Sequence, residues 1–579
     1  MKEISVRTVV IGSGCAGLNA ADWLWDLGQR DLLLVTENMN SGTSRNTGSD
    51  KQTYYKLSLS GDEGDSVGAL AAMLLGNHGD VNGDTALCEA AASAKSFFKL
   101  AGLGVPFPCN EYGEYVGYQT DHDHFRRATS AGPLTSKFMT EALEKSVRSK
   151  GVPIRDQALA CQILTDETGV AGVLCLDKTD RDWLLIRCAH VVLCTGGPAQ
   201  IYRDSVFPLS QCGMSGMAFE AGAEGANLHC WQYGLASIQF RWNVSGSYQQ
   251  ALPRYISVDE DGVEREFLAD ALGEEKAMTL TFLKGYQWPF DEAKVPGSSQ
   301  VDLLVKAETD KGRRVYMDFR QSPRGFAPDQ LSAEARDYLQ NCGALQETPL
   351  ARLAAMNAPA IALYRDHGID LAREPLEVRV CAQHHNGGLA VDEHWQTRVP
   401  GLYACGEAAG TFGRYRPGGT ALNSTQAGSL RAAEHIARQS RRQPISGSLD
   451  VQPPLLPMGD AKAITASLQS SMSRCAAFQR NAEEMAALEK QIAAHMESVA
   501  PAALDDPQLI TRLRLRDLMM TQQQVLSAMI CSETAPGPGV LYTCGGRSAY
   551  RPARPIPQRD LWFERVWKQY REREASNNQ

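Results

Sequence analysis

The hexapeptide Gly12-Ser13-Gly14-Cys15-Ala16-Gly17 follows the apolar run Val9-Val10-Ile11 and opens onto Leu18, Ala21, Leu24 and Trp25, which recur at helical spacing. A strand, a glycine turn and a helix in that order constrain the fold more than any other feature of the chain. The glycines let the backbone turn sharply and approach a pyrophosphate, while the helix N-terminus offers free N–H groups and the positive end of its dipole. A second apolar run, Leu32 to Thr36, ends at Glu37, about 20 residues beyond the turn. An acidic side chain there can accept two ribose hydroxyls and disfavours a 2′-phosphate. The spacing predicts a β-turn-α-β unit in a parallel sheet, with Gly12 to Gly17 and Glu37 contacting a dinucleotide.

A chain of 579 residues exceeds the size at which one core stops growing, so several domains are expected. A net charge of -9 with both signs interspersed argues against nucleic acid or an anionic membrane surface as partner and leaves a small-molecule substrate as the expectation. No apolar run reaches the roughly 18 residues of a membrane span, and the start lacks a signal h-region, so a cytoplasmic protein is expected. The 15 cysteines are scattered without C-x-x-C pairs, and no metal is expected. Asp121-His122-Asp123-His124 has metal-ligand residue types, but reads as a solvated polar loop.

From Val152 to Gly197, short β-rich stretches separated by turns predict an antiparallel meander returning to a buried strand, Val191 to Cys194. Roughly residues 240 to 372 mix polar loops with helical stretches, and strands resume at Leu376. Residues 1–240 and 373–445 therefore read as one discontinuous nucleotide domain, with 241–372 an inserted substrate-side domain. Beyond the prolines at Pro453, Pro454 and Pro457, helical spacing of Met485, Leu488, Ile492 and Met496, and of Leu515, Leu518, Val525 and Met529, predicts a mainly helical domain over 458–579.

Two further signatures follow in order. Thr397 to Glu407 is an apolar strand ending in Gly406-Glu407, and Val192-Leu193-Cys194-Thr195-Gly196-Gly197 is another strand ending in glycines. With Gly12 to Gly17 they resemble the three signatures of flavoproteins that bind FAD. Ile369-Asp370, Glu374-Pro375-Leu376, Gly387-Gly388 and Tyr415-Arg416-Pro417-Gly418-Gly419-Thr420-Ala421-Leu422 extend the resemblance over nearly the whole chain to the fumarate reductase, succinate dehydrogenase and L-aspartate oxidase flavoproteins. The resemblance implies an α/β Rossmann-like FAD-binding domain with a parallel sheet, an inserted α+β capping domain and a helical C-terminal domain. It implies hydride transfer between flavin N5 and a carbon beside a carboxylate or carbonyl. It also implies cofactor contacts from Ser44, Asn46, Thr47, Gly48, Ser49, Thr195, Gly196, Gly406, Glu407, Ala421 and Leu422.

Departures from that family are informative. Where succinate dehydrogenases carry a histidine bonded to flavin, this chain reads Gly42-Thr43-Ser44-Arg45-Asn46-Thr47-Gly48-Ser49-Asp50, so the FAD is expected to be non-covalent. Where the family reads Trp-Gln-Phe-His-Pro-Thr, this chain reads Trp231-Gln232-Tyr233-Gly234-Leu235-Ala236-Ser237. The dicarboxylate-binding pair is missing, which makes fumarate and succinate poor candidates. No arginine stands between Ser298 and Leu304, and Gln383-His384-His385-Asn386-Gly387-Gly388 replaces the family's His-x-x-x-Gly-Gly. Arg416 matches a family substrate residue and is expected to bind a carboxylate. His384, His385 and Tyr415 are expected to compete as proton donor. Two alternatives stay open: an amino acid or amine oxidase, and a flavin-carrying subunit that passes electrons to a separate iron-sulfur partner.

Overall fold

The computed structural model describes all residues except 62–63, 121–122, 440–441, 446, 448, 450 and 578–579. Asp121 and His122 of the polar loop lie outside the described residues. Five parallel strands form the central sheet in the order Leu402–Ala404, His190–Leu193, Thr8–Ile11, Leu32–Val35 and Ile154–Arg155. Four of these strands are buried along their whole length, which is why they read as continuous apolar runs rather than as alternation. The helix Cys15–Asp26 packs between this sheet and the helix Thr420–Arg438.

The largely β-branched residues 5 to 11 read in sequence as one strand before the glycine turn, and the structure divides it. Lys2–Ser5 runs parallel to Asp182–Arg187 at the edge of the meander sheet, and Thr8–Ile11 enters the central sheet. Arg7 causes the break. Its buried guanidinium donates to Ile436 O (3.2 Å) and Gln439 O (2.7 Å) at the C-terminal end of the helix Thr420–Arg438, where the negative end of the helix dipole attracts a cation.

The meander forms as expected from Ala158–Asp166, Gly169–Asp177 and Asp182–Arg187. The inserted region is built on a six-stranded antiparallel sheet in the order Trp242–Asn243, Trp231–Ser237, Leu376–His385, Arg314–Asp318, Arg254–Val258 and Glu264–Arg265. That sheet continues across the boundaries expected near residues 240 and 373. Through Trp231–Ser237 and Leu376–His385 the cap is joined to the nucleotide domain by hydrogen-bonded strands rather than by loops alone.

Three helices, Ala461–Cys475, Ala482–Glu497 and Leu509–Thr534, share one apolar core containing Met485, Leu488, Ile492, Leu515, Leu518, Val525 and Met529. The chain then adds a hairpin, Val540–Cys544 with Arg547–Arg551, whose first strand pairs with Gly225–Ala226. The C-terminal region is thus not wholly helical. Among the described residues no helix is long and apolar enough to cross a membrane.

Candidate active site and cofactor cleft

The C-terminal ends of the parallel strands open into a cleft of about 810 Å³ that runs from the glycine turn to the inserted domain. Its nucleotide end is shaped by backbone proximity. A methyl group on Gly12, whose φ is +109°, would lie 2.4 Å from Cys194 O, and one on Gly17 would lie 1.9 Å from Gly12 O. Only hydrogen fits at either place. The helix that begins at Cys15 has no side-chain cap at Gly14, so its first N–H groups are left for a ligand, apart from Cys15 N, which donates to Ser44 Oγ at 3.2 Å. Gly12, Ser13, Gly14, Cys15 and Ala16 line the cleft, whereas Gly17 packs behind them.

Glu37 lines the cleft as well. Its carboxylate accepts from Lys178 Nζ at 3.2 Å and from Arg514, a residue of the C-terminal helix Leu509–Thr534. The two cations fix its orientation beside the glycine turn. Ser44, Thr47, Gly48 and Ser49 line the next portion. The sequence expectation for Asn46 needs correction, because its amide donates to Asn40 O and Gly42 O, both at 2.9 Å, and it does not line the cleft. Thr195, Gly196, Gly406, Glu407, Ala421 and Leu422 complete the wall. Gln211, not singled out in the sequence, ties the wall together by donating to Thr195 O at 2.6 Å and accepting from Thr43 N at 3.3 Å.

This donor set fits FAD: a glycine cradle, an uncapped helix N-terminus, an oriented acid lining the same cleft, and the buried hydroxyls Thr43 Oγ1 and Thr195 Oγ1 without protein partners. No histidine stands in residues 42–50, so this loop has no imidazole to bond a flavin.

At the other end, Arg416 enters the cleft held by Gln232. The Gln232 Oε1 accepts from both Nε (3.1 Å) and Nη2 (2.7 Å), and Gln232 Nε2 donates back to Arg416 O at 3.2 Å. Nη1 makes only a 3.5 Å contact with Pro417 O. Burial lowers the guanidinium to about 10, with Glu407 and Glu89 acting in the opposite direction. Burial raises Glu407 to about 7 against the His385 N–H, which donates to it at 2.8 Å, and against Arg416.

Of the three expected proton donors, only His384 lines the cleft. Its Nδ1 lies 2.9 Å from Asn386 Oδ1, and Asn386 Nδ2 donates to Arg414 O at 3.3 Å, which sets the amide orientation. Nδ1 therefore carries the hydrogen. Nε2, 3.9 Å from Glu407 Oε1, keeps a lone pair. Burial, then Arg416, push this imidazole well below the ordinary histidine range. The ring is therefore neutral, and its Nε2 has no proton to give. His385 is buried away from the cleft, stacked on Trp231 at 4.1 Å and donating from Nε2 to Leu228 O at 3.2 Å. Tyr415 also stands outside it, 37% exposed and bonded to Asp291. Alternation along Leu376–His385 explains the histidine pair, since neighbouring residues on a strand face opposite sides.

The sequence pattern does not single out Gln232 or Trp288, which also line this end, as does Gln383 at the position of the family motif's histidine. The one sequence signal for Gln232 is its place in the Trp231-Gln232 pair that matches the family motif. Ser237 is committed elsewhere: its hydroxyl meets Tyr364 Oη at 2.7 Å and is buried.

A family model described as FAD binding domain matches residues 7–422, more than half of the chain. The L-aspartate oxidase of Streptomyces coelicolor is 27% identical over 459 residues, covering 78% of this chain and 71% of that protein. Among solved structures, Mycobacterium smegmatis Sdh1 superposes with a TM-score of 0.72 at 16% identity, covering 96% of both chains. E. coli quinol fumarate reductase FrdA superposes at 0.68 and 16% identity, covering 96% of this chain and 98% of that one. The chain belongs to the FAD binding domain family, as a divergent FAD-dependent oxidoreductase with the fold of the succinate dehydrogenase and fumarate reductase flavoproteins.

Proposed function

We propose that this enzyme reduces an activated carbon–carbon double bond beside a carboxylate or carbonyl, or catalyses the reverse dehydrogenation, on a substrate other than fumarate or succinate. The observation that carries the reading is the fixed guanidinium of Arg416 at the cap end of the cleft. FAD, when bound, supplies the two-electron redox chemistry. Gln232 occupies the Nε side of the Arg416 fork, so Nη1 and the outer hydrogen of Nη2 are the donors left for a substrate oxygen. A cation fixed there stabilises negative charge that builds on the substrate oxygen during reaction. With the cap strands joined to the nucleotide domain, the substrate carbon is held without a mobile anchor. In the reductive direction a separate protein or reduced small molecule serves as electron donor.

Anaerobic mixing of photoreduced holoenzyme with a panel of unsaturated acids and ketones tests this reading. Reoxidation by at least one of them, lost in Arg416→Lys with FAD content unchanged, is the expected result. Reoxidation by none, in protein that carries its full FAD, would remove it.

A second reading, oxidation of an amino acid with oxygen as acceptor, is favoured by the likeness to L-aspartate oxidases. Rapid reoxidation of the reduced holoenzyme by air with peroxide release would select it.

A further inference from the structure

We infer that the cap end of the cleft is a slot for flat, apolar monoacids and that Trp288 is the residue that sets this preference; the inference rests on Arg416 being the carboxylate anchor proposed above. Gly234 stands on the strand Trp231–Ser237, and the space above it is filled by indole. A methyl group placed on Gly234 would lie 2.4 Å from Trp288 Cζ2 and 2.5 Å from Cη2. No side chain can reach into the cleft from position 234 while Trp288 is there. The polar group that a second carboxylate would need is replaced by an aromatic surface that lines the cleft.

The indole is held in place by its neighbours. Phe290 N–H donates to Tyr233 O at 2.8 Å, which ties the segment carrying Trp288 to the same strand as Gly234. The Lys284 ammonium sits 5.1 Å from the Trp288 ring centroid. That cation is not offered to a substrate, because it pairs with Asp302 at 2.6 Å with both side chains fully buried. Phe282, Tyr286 and Tyr338 continue the aromatic lining on the cap side. The hydroxyl of Tyr338 is committed to Gln250 Oε1 at 3.0 Å, and that of Tyr286 to Glu334.

Charge points the same way. The lysine and arginine side chains that line the cleft are Arg416 and the exposed Lys51, and at this end Asp50 and Glu334 line it too. A dicarboxylate bound to Arg416 would find no second buried cation in the cleft lining. A planar conjugated or aromatic body in that place instead gains stacking and sheds apolar surface from water.

The test titrates oxidised holoenzyme with cinnamate, crotonate, fumarate and cinnamamide, reading the flavin difference spectrum. Cinnamate is expected to bind at least about tenfold more tightly than crotonate or fumarate. Trp288→Ala is expected to bring the cinnamate-to-crotonate ratio near one, and Trp288→Phe to keep most of it, each with normal FAD content. The preference for cinnamate over cinnamamide reports on Arg416 separately, and is expected to fall in Arg416→Lys while the cinnamate-to-crotonate ratio holds. Fumarate binding as tightly as cinnamate, an unchanged cinnamate-to-crotonate ratio in Trp288→Ala, or no binding by any of the four would overturn the inference. An acid-to-amide ratio that ignores Arg416→Lys would overturn the anchor instead.

Discussion

Gln232 and Arg416 form a reciprocal pair, in which one amide oxygen accepts two guanidinium hydrogens and the amide nitrogen donates to the arginine's own carbonyl. A long cation that would otherwise sample many rotamers is therefore fixed at the edge of the cleft. Gln232→Leu removes three hydrogen bonds while keeping similar bulk. At about 1.5–3 kcal/mol for a bond to a charged group, kcat/KM for acidic substrates is expected to fall on the order of 10 to 100-fold. FAD content, read from the visible spectrum, stays unchanged because the bonds lost all go to Arg416 and none to the glycine turn. An unaltered kcat/KM would show that Arg416 needs no orientation.

Gly234 and Trp288 exclude any larger residue at position 234. Gly234→Ala is expected to lose roughly 1–3 kcal/mol of stability through overpacking. In a Trp288→Ala background the same substitution meets open space, so the double variant should be more stable than the sum of the single losses by at least about 1 kcal/mol. Denaturant unfolding of the four proteins measures the coupling, and strict additivity would contradict the contact.

Non-covalent FAD follows from the 42–50 loop. Acid precipitation of the purified holoenzyme is expected to leave one FAD per chain in the supernatant and a colourless pellet. Flavin retained by the polypeptide would mean that a residue outside this loop forms the bond, and release of FMN would contradict the roles of Gly12 to Ala16 and Glu37.

His190 lies on a central strand with both ring nitrogens buried and without partners. Burial first, then Arg7 and Arg442, lower its pKa from the ordinary value of 6.5 to about 3. With the folded value below the unfolded one, the unfolded chain binds more protons between these limits. The contribution is present above about pH 6.5 and is lost as pH falls toward 3. By pH 4 the loss reaches roughly 3 kcal/mol, at about 1.36 per unit. His190→Leu should therefore match or exceed the wild type in thermal stability at pH 7.5 and exceed it by a growing margin below pH 6. A constant difference across that range would show that the imidazole is solvated.

The glycine turn, the meander, the return strand at Val191 and the helical core near Met485 and Leu518 were legible because each is a local pattern whose period or turn chemistry survives without context. The single strand read from residue 5 to 11 fails for a reason that lies outside the window. Arg7 must reach carbonyls at Ile436 and Gln439, more than 400 residues away in sequence. The Asn46 expectation fails similarly, since its amide serves the carbonyls of its own loop.

By itself the sequence determined the nucleotide end of this protein, because backbone approach to a pyrophosphate demands glycine at Gly12 and Gly17 whatever surrounds them, and that demand is written in residue type. The substrate end was decided by tertiary structure. Which of His384 and His385 faces the cleft depends on the pleat of Leu376–His385, and which edge of Arg416 is free depends on Gln232 from another strand. The emptiness of Gly234 acquires a meaning only when Trp288, 54 positions later, is folded over it. Side-chain packing between distant segments is set by the whole core, and no local period records it.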